Sequence, residues 1–176
     1  KEGILYKGIL YLGLMLVEDT PNLLEANVRL GDPEAEVILP RLKTPLSDIS
    51  LQIIKGVLSD KKVEWSSDYF LDVVAAQGRT RQMKDGKSKG WYPGYPGRYG
   101  KGYPISGIEK VQDPGCKIFF AGINNTPDKG LVTDGGRILH VVGRGKTLQE
   151  ARGRAYKSIE QIHFEGIRYR SDIGKE

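Results

Sequence analysis

The chain has 176 residues, 39% of them hydrophobic, with a formal charge of +5 and a pI near 9.2. That is enough apolar material for one ordinary domain or two small ones, which excludes a disordered tail. A single cysteine, Cys116, excludes an internal disulfide, and the longest apolar stretch, residues 9–17, is about half of the roughly 20 residues a membrane helix needs. The expectation is a cytoplasmic, water-soluble protein with no membrane partner.

The sequence starts at Lys1 and strand-forming residues begin almost at once, so it is expected to open inside a domain. Residues 8–17 are rich in strand formers, residues 18–22 have turn chemistry, and residues 23–30 form a second apolar-polar run; together they predict a β-hairpin. Gly31-Asp32-Pro33-Glu34 then predicts a helix start, with Asp32 as N-cap and Pro33 at the first helical position, and Pro40 keeps that helix short. A second helix is predicted over 46–58, where Leu46, Ile49, Ile53, Ile54 and Val57 share one face. Residues 59–62 end it, and the polar stretch running to Asp68 reads as the domain boundary.

Beyond that boundary, strands are predicted at 69–76, 117–121, 131–133 and 137–142, with Cys116 leading into a buried strand. A last helix is predicted to begin at Thr147. Thr147 and Glu150 make a capping box, and Leu148, Ala151, Ala155, Ile159 and Ile162 form its apolar stripe. His140 sits in an apolar strand pattern with no second ligand at metal spacing and reads as a structural histidine. His163 reads as a helix-end residue, where the dipole favours a cation.

The positive charge is local. Between residues 79 and 110 there are eight basic residues against Asp85 and Glu109, a net +6 that leaves about −1 for the rest. One reading is a solvated Gly- and Lys-rich hairpin or loop. The other is an RNA-binding module, with Trp91, Tyr92, Tyr95 and Tyr99 stacking on bases while Lys84, Lys87 and Lys89 meet phosphates.

The second strand carries the most chemistry. Period two puts Leu24, Ala26, Val28 and Leu30 on one face and Glu25, Asn27 and Arg29 on the other. A solvent-facing sheet surface accounts for that pattern. So does a cation and phosphate site, because carboxylate and carboxamide oxygens are the donors Mg²⁺ prefers and a guanidinium can brace a phosphoryl group.

The run Arg29-Leu30-Gly31-Asp32-Pro33-Glu34-Ala35-Glu36-Val37-Ile38-Leu39 closely resembles the signature segment of phosphoribosylamine-glycine ligases. Residues 6–15 and Leu24-Glu25-Ala26-Asn27 resemble the two strands before it. Later matches are Tyr95-Pro96-Gly97, Val132-Thr133-Asp134-Gly135-Gly136-Arg137, the Thr147 helix, Ile162-His163-Phe164 and Tyr169-Arg170-Ser171-Asp172-Ile173-Gly174. The stretch from 79 to 91 departs from the family as an insertion.

The resemblance implies an α+β chain. Residues 1–64 would be the C-terminal piece of an ATP-grasp domain, and residues 65–176 a small mixed α/β C-terminal domain. It implies ATP, glycine and 5-phosphoribosylamine as substrates, joined through glycyl phosphate in purine biosynthesis, with Mg²⁺ or Mn²⁺ as cofactor. Glu25 and Asn27 would be the metal ligands, Arg29 the catalytic residue at the phosphoryl group, and Asp32 and Glu34 the substrate end. The nucleotide contacts would lie in an N-terminal part of the same enzyme before Lys1, so these 176 residues are expected to be inactive alone, and nucleic acid is not among the expected partners. Another ATP-grasp carboxylate-amine ligase is the competing enzyme reading, and the RNA-binding module through 79–110 the competing reading from another class.

Overall fold

The computed structural model describes residues 3, 5–58 and 63–175. The chain divides into two compact units, Lys1–Ser67 and Asp68–Glu176. Their secondary structure is mixed α and β.

In the first unit, β1 (Tyr11–Val17) and β2 (Thr20–Asn27) form an antiparallel hairpin. Glu18 and Asp19 make the turn alone, both with positive φ (49° and 60°), the geometry whose twist suits a two-residue connection. The turn expected over 18–22 is therefore tighter, and Thr20, Pro21 and Asn22 join the ladder opposite Val17, Leu16 and Met15. A register shift between Gly13 and Leu14 places Tyr11 opposite Asn27. Tyr11 is the first paired residue of β1, so β2 has no partner past Asn27 and stops there rather than at Leu30.

Asp32 does not cap a helix. Residues 32–34 form a turn closed by the Ala35 N–H donating to the Gly31 carbonyl at 2.9 Å, and α1 (Ala35–Arg41) starts only after it, with Glu34 at the cap position and no side-chain cap bond. Pro40 sits in the last turn of α1, as its spacing predicts. Helix α2 (Leu46–Lys55) ends earlier than expected, because Gly56 takes a left-handed conformation (φ 72°) that terminates it. No residue of either helix is buried. The helix stop read at 59–62 lies outside the described residues.

The second unit is built on an antiparallel sheet ordered β10 (Ile167–Arg168), β3 (Tyr69–Gln77), β9 (Arg137–Gly145), β6 (Cys116–Phe120). One face carries α3 (Leu148–Ile159). Leu71, Val73 and Ala75 of β3 and Leu139 and Val141 of β9 meet Ala151, Ala155 and Ile159 of the helix, with Ile162 and Phe164 closing the end. Small residues let the layers approach closely: a Cβ at Gly143 would run into the Ala151 carbonyl. Thr147 is the N-cap and its hydroxyl accepts the Glu150 N–H at 3.1 Å. The other half of the box is shifted by one residue, since the Glu150 carboxylate accepts from the Lys146 N–H at 2.8 Å. His163 lies past the helix end in a bridge with Ser106 rather than in its last turn.

Two further hairpins complete this unit, β4 (Thr80–Lys84) with β5 (Lys87–Tyr92), and β7 (Ile123–Thr126) with β8 (Gly130–Thr133). The basic stretch is thus an ordered hairpin, turned at Asp85 and Gly86 with positive φ. Cys116 is half-buried at the start of edge strand β6, where burial pushes its thiol upward and Ser158 donates to it at 3.2 Å.

Candidate functional site

On β2, Glu25 and Asn27 lie two residues apart on one face, exposed and half-buried respectively. Glu25 faces Gly13 across the hairpin, and its Cγ occupies space within 2.9 Å of where a Cβ on residue 13 would stand. Glycine there leaves room for the carboxylate arm. Asn27 faces Tyr11, whose hydroxyl donates to Glu34 Oε1 at 3.0 Å across the connection into α1. The Tyr11 phenol is held above its ordinary value, first by that hydrogen bond, then by desolvation and by the negative charges of Glu34 and Glu25. Glu25, Asn27 and Glu34 therefore gather around one tyrosine. Their oxygens are hard donors in a region of negative potential, the setting a small divalent cation relieves.

Arg29 lies past the end of β2, and its guanidinium donates to the Leu30 carbonyl at 2.7 Å. It lines a hollow of about 600 Å³ whose walls include Ile9, Val28, Ile49 and Ile53, with Lys7 its other charged residue. Strand alternation alone placed Arg29 beside Asn27; the end of the ladder removes that alternation. Asp32 is exposed in the turn before α1.

Tyr11 is the participant that sequence reasoning missed. Placing the turn at Glu18-Asp19 and counting back brings Tyr11 to within one residue of Asn27, and the register shift supplies the last step. Gly13, in a strand and beside the shift, is the one sequence hint of it.

The second unit holds buried charge of another kind. His140 Nδ1 lies 2.7 Å from Asp72 Oδ2, both nearly inaccessible. Asp68, 4% exposed, takes Lys146 at 2.7 Å and Arg144, and both lower its acidity range. Arg154 bridges Asp113 and Glu150 at 2.9 Å each. In the basic hairpin the guanidiniums of Arg79 and Arg81 lie 4.4 and 5.3 Å from the centre of the Trp91 ring. The aromatic surface on which a base would stack is thus engaged by the hairpin's own cations.

Among the described residues, no helix is long and apolar enough to cross a membrane. The family model for the phosphoribosylglycinamide synthetase C domain matches residues 92–176, and that for the ATP-grasp (A) domain of the same enzyme matches residues 1–35. Phosphoribosylamine–glycine ligase from Caldanaerobacter subterraneus is 43% identical over 98% of this chain and 37% of its own length. The ligase from Archaeoglobus fulgidus is 42% identical over 96% of the chain and 35% of its own length. The crystal structure of phosphoribosylamine–glycine ligase from Thermotoga maritima superposes with a TM-score of 0.69 at 41% identity, covering 93% of this chain and 36% of that one. The chain spans little more than a third of the length of these relatives. With both domain models and the whole length of the chain accounted for by one enzyme, the chain belongs to the phosphoribosylamine–glycine ligase family, matching part of its ATP-grasp domain and its C domain.

Proposed function

We propose that this chain supplies the metal-bearing strand and the C-terminal domain of an enzyme that joins glycine to 5-phosphoribosylamine at the expense of ATP. The γ-phosphoryl group of ATP passes to the glycine carboxylate, giving glycyl phosphate and ADP. The amine of 5-phosphoribosylamine then attacks the acyl carbon, the bond to phosphate breaks, a proton leaves the nitrogen, and glycinamide ribonucleotide and phosphate are released. Residues 1–64 are the end of the ATP-grasp domain in this reading and residues 65–176 the small C-terminal domain, acting in the cytoplasm.

The observation that carries the reading is the gathering of Glu25, Asn27 and Glu34 around Tyr11 on an accessible hairpin face. Glu25 and Asn27 would hold Mg²⁺ or Mn²⁺, one or two protein oxygens being the usual share of such an ion's ligands. The chemistry the ion supplies is neutralisation of charge where a triphosphate and a carboxylate must meet. Arg29 braces the transferring phosphoryl group from beyond the strand end, and Asp32 and Glu34 stand at the substrate side. Glu34 has a second part besides, since its bond from Tyr11 ties α1 to the hairpin.

The rest of the ATP site belongs to further chain of the same enzyme. Leu12, Leu14, Leu23 and Leu24, each about half exposed or more in the hairpin, are the surface that chain would cover. The 176 residues alone then give no turnover. The test is product identification in a polypeptide of the relatives' full length carrying this chain, supplied with ATP, Mg²⁺ and 5-phosphoribosylamine. Glycine should be consumed to glycinamide ribonucleotide; preference for another carboxylate would replace this reading by that of a different ATP-grasp ligase.

A further inference from the structure

The basic hairpin of β4 and β5 has no part in the ligase reading, and its charge is not answered from within the protein. Among the described residues, Arg79, Arg81, Lys84, Lys87 and Lys89 form no ion pair, and Asp85 is the one carboxylate that the sequence places between them. Elsewhere in the same unit Arg144, Lys146 and Arg154 are paired with Asp68, Asp113 and Glu150. At the hairpin tip Lys84 and Lys87 stand directly opposite each other in the ladder. Like charges so placed oppose strand pairing, and an anion at the tip turns that repulsion into attraction.

The hairpin has the shape of an arm. Every residue from Met83 to Trp91 is exposed, and among the described residues no third strand joins the ribbon. The five residues of β4 extend about 17 Å. Strand alternation puts Arg81 and Lys84 on opposite faces, so cations point outward from both sides. The root, by contrast, is fixed. Thr80 is buried, the Gly78 N–H donates to the Gly166 carbonyl at 2.7 Å, and a Cβ at Gly94 would strike the Gly78 backbone, so the two ends of the hairpin are pressed together. An arm anchored in this way loses little conformational freedom on binding.

Anionic partners differ in what they require. A protein interface is centred on apolar anchors and is poor in lysine, and a lipid surface takes apolar side chains into its boundary. Met83 is the one apolar side chain at the tip. A single strand of nucleic acid is held by stacking on aromatic faces, and Trp91 already carries the guanidiniums of Arg79 and Arg81. A duplex asks only for contacts to phosphate, and the major groove of DNA, about 12 Å wide and roughly 8.5 Å deep, admits a two-stranded ribbon between its phosphate walls. The corresponding groove of duplex RNA is too narrow. We infer that the hairpin of β4 and β5 enters the major groove of duplex DNA and holds its phosphates without reading its bases.

The test titrates a polypeptide of the relatives' full length carrying this chain with a fluorescently labelled DNA duplex, read by anisotropy. With about four phosphates neutralised, affinity should fall on the order of a hundredfold between about 50 and 200 mM salt. Lys84→Gln together with Lys87→Gln should weaken duplex binding about tenfold at the lower salt and reduce the slope of log affinity against log salt by about two. Lys117→Gln together with Lys129→Gln removes the same charge from exposed positions of the same unit and should leave both quantities unchanged, and the unfolding midpoint of each variant checks that the fold is retained. Duplexes of different base composition should bind alike, and single-stranded DNA and duplex RNA more weakly. No duplex binding at the lower salt, or equal losses in the two double variants, overturns the arm. Tighter binding of single-stranded DNA or duplex RNA overturns the assignment to duplex DNA, and equal binding of polyglutamate replaces nucleic acid by an acidic protein face. Glycine-dependent turnover does not enter these measurements, so the arm and the ligase reading stand or fall separately.

Discussion

The two units differ in how they treat apolar side chains. In Asp68–Glu176, Val73, Ala75, Leu139, Val141, Ala155 and Ile159 are wholly buried between one sheet face and one helix. In Lys1–Ser67, Leu14, Leu23, Leu24 and Val28 remain more than half exposed, and neither helix buries a single residue. Burying a leucine is worth roughly 1.5–3 kcal/mol, so the first unit leaves unrealised the term that stabilises the second. The candidate metal ligands sit on the unit that collects less. On the proposed reading, further chain of the same enzyme covers that exposed surface.

Core truncation should give the largest contrast. Leu139→Ala or Ile159→Ala should cost about 2–5 kcal/mol in denaturant unfolding followed by signals from the second unit. Leu14→Ala should change stability by about 0.5 kcal/mol or less. Similar costs for both would end the distinction between the units.

Glycines sharpen the same contrast at smaller size. Gly143→Ala would drive a methyl into the Ala151 backbone and should cost about 1–3 kcal/mol as an overpacked site. Gly56→Ala meets open space, and its cost of about 1 kcal/mol would come only from the left-handed backbone. Thr147→Ala removes the cap of α3 and should cost about 1 kcal/mol by the same measurement.

The smallest effect is one of acid. Arg170 lowers Asp172 to about 2, and Lys146 and Arg144 lower Asp68. A carboxylate lowered on folding adds stability that is complete above its unfolded value, about 3.9, and is lost as pH falls through the folded value. Asp172→Asn should therefore lower the unfolding midpoint slightly at pH 7, and the gap should close only as pH falls below about 2. A gap that stayed constant would show that the Arg170 pair has no part in acid stability.

Much of the second unit was legible because its periods are long and undisturbed. Ala151, Ala155 and Ile159 of the expected stripe are the buried edge of α3, Ile162 is buried just past the helix end, and Tyr69–Gln77 alternates as a strand covered on one side should. The site in the first unit was legible only in part. Glu25 and Asn27 follow from period two, but Arg29 does not, because a strand ends where its partner does and the partner's end is not written in the strand itself. Asp32 before Pro33 carries the usual signal of a helix start, and the turn that displaces it is set by contacts along the chain. Tyr11 stayed hidden behind a one-residue register shift. Tyr95, Arg137, Arg168 and Arg170 line one hollow from segments that no local pattern joins.

On the proposed reading, Glu25 and Asn27 hold the divalent ion of the ligase reaction. The most direct measurement is the Mg²⁺ dependence of turnover in the full-length enzyme carrying Glu25→Gln or Asn27→Ala. Both substitutions should raise the Mg²⁺ concentration needed for half-maximal rate and depress the rate at saturation, with the unfolding midpoint unmoved. An unchanged Mg²⁺ dependence in both variants would return that face of the hairpin to an ordinary solvated surface.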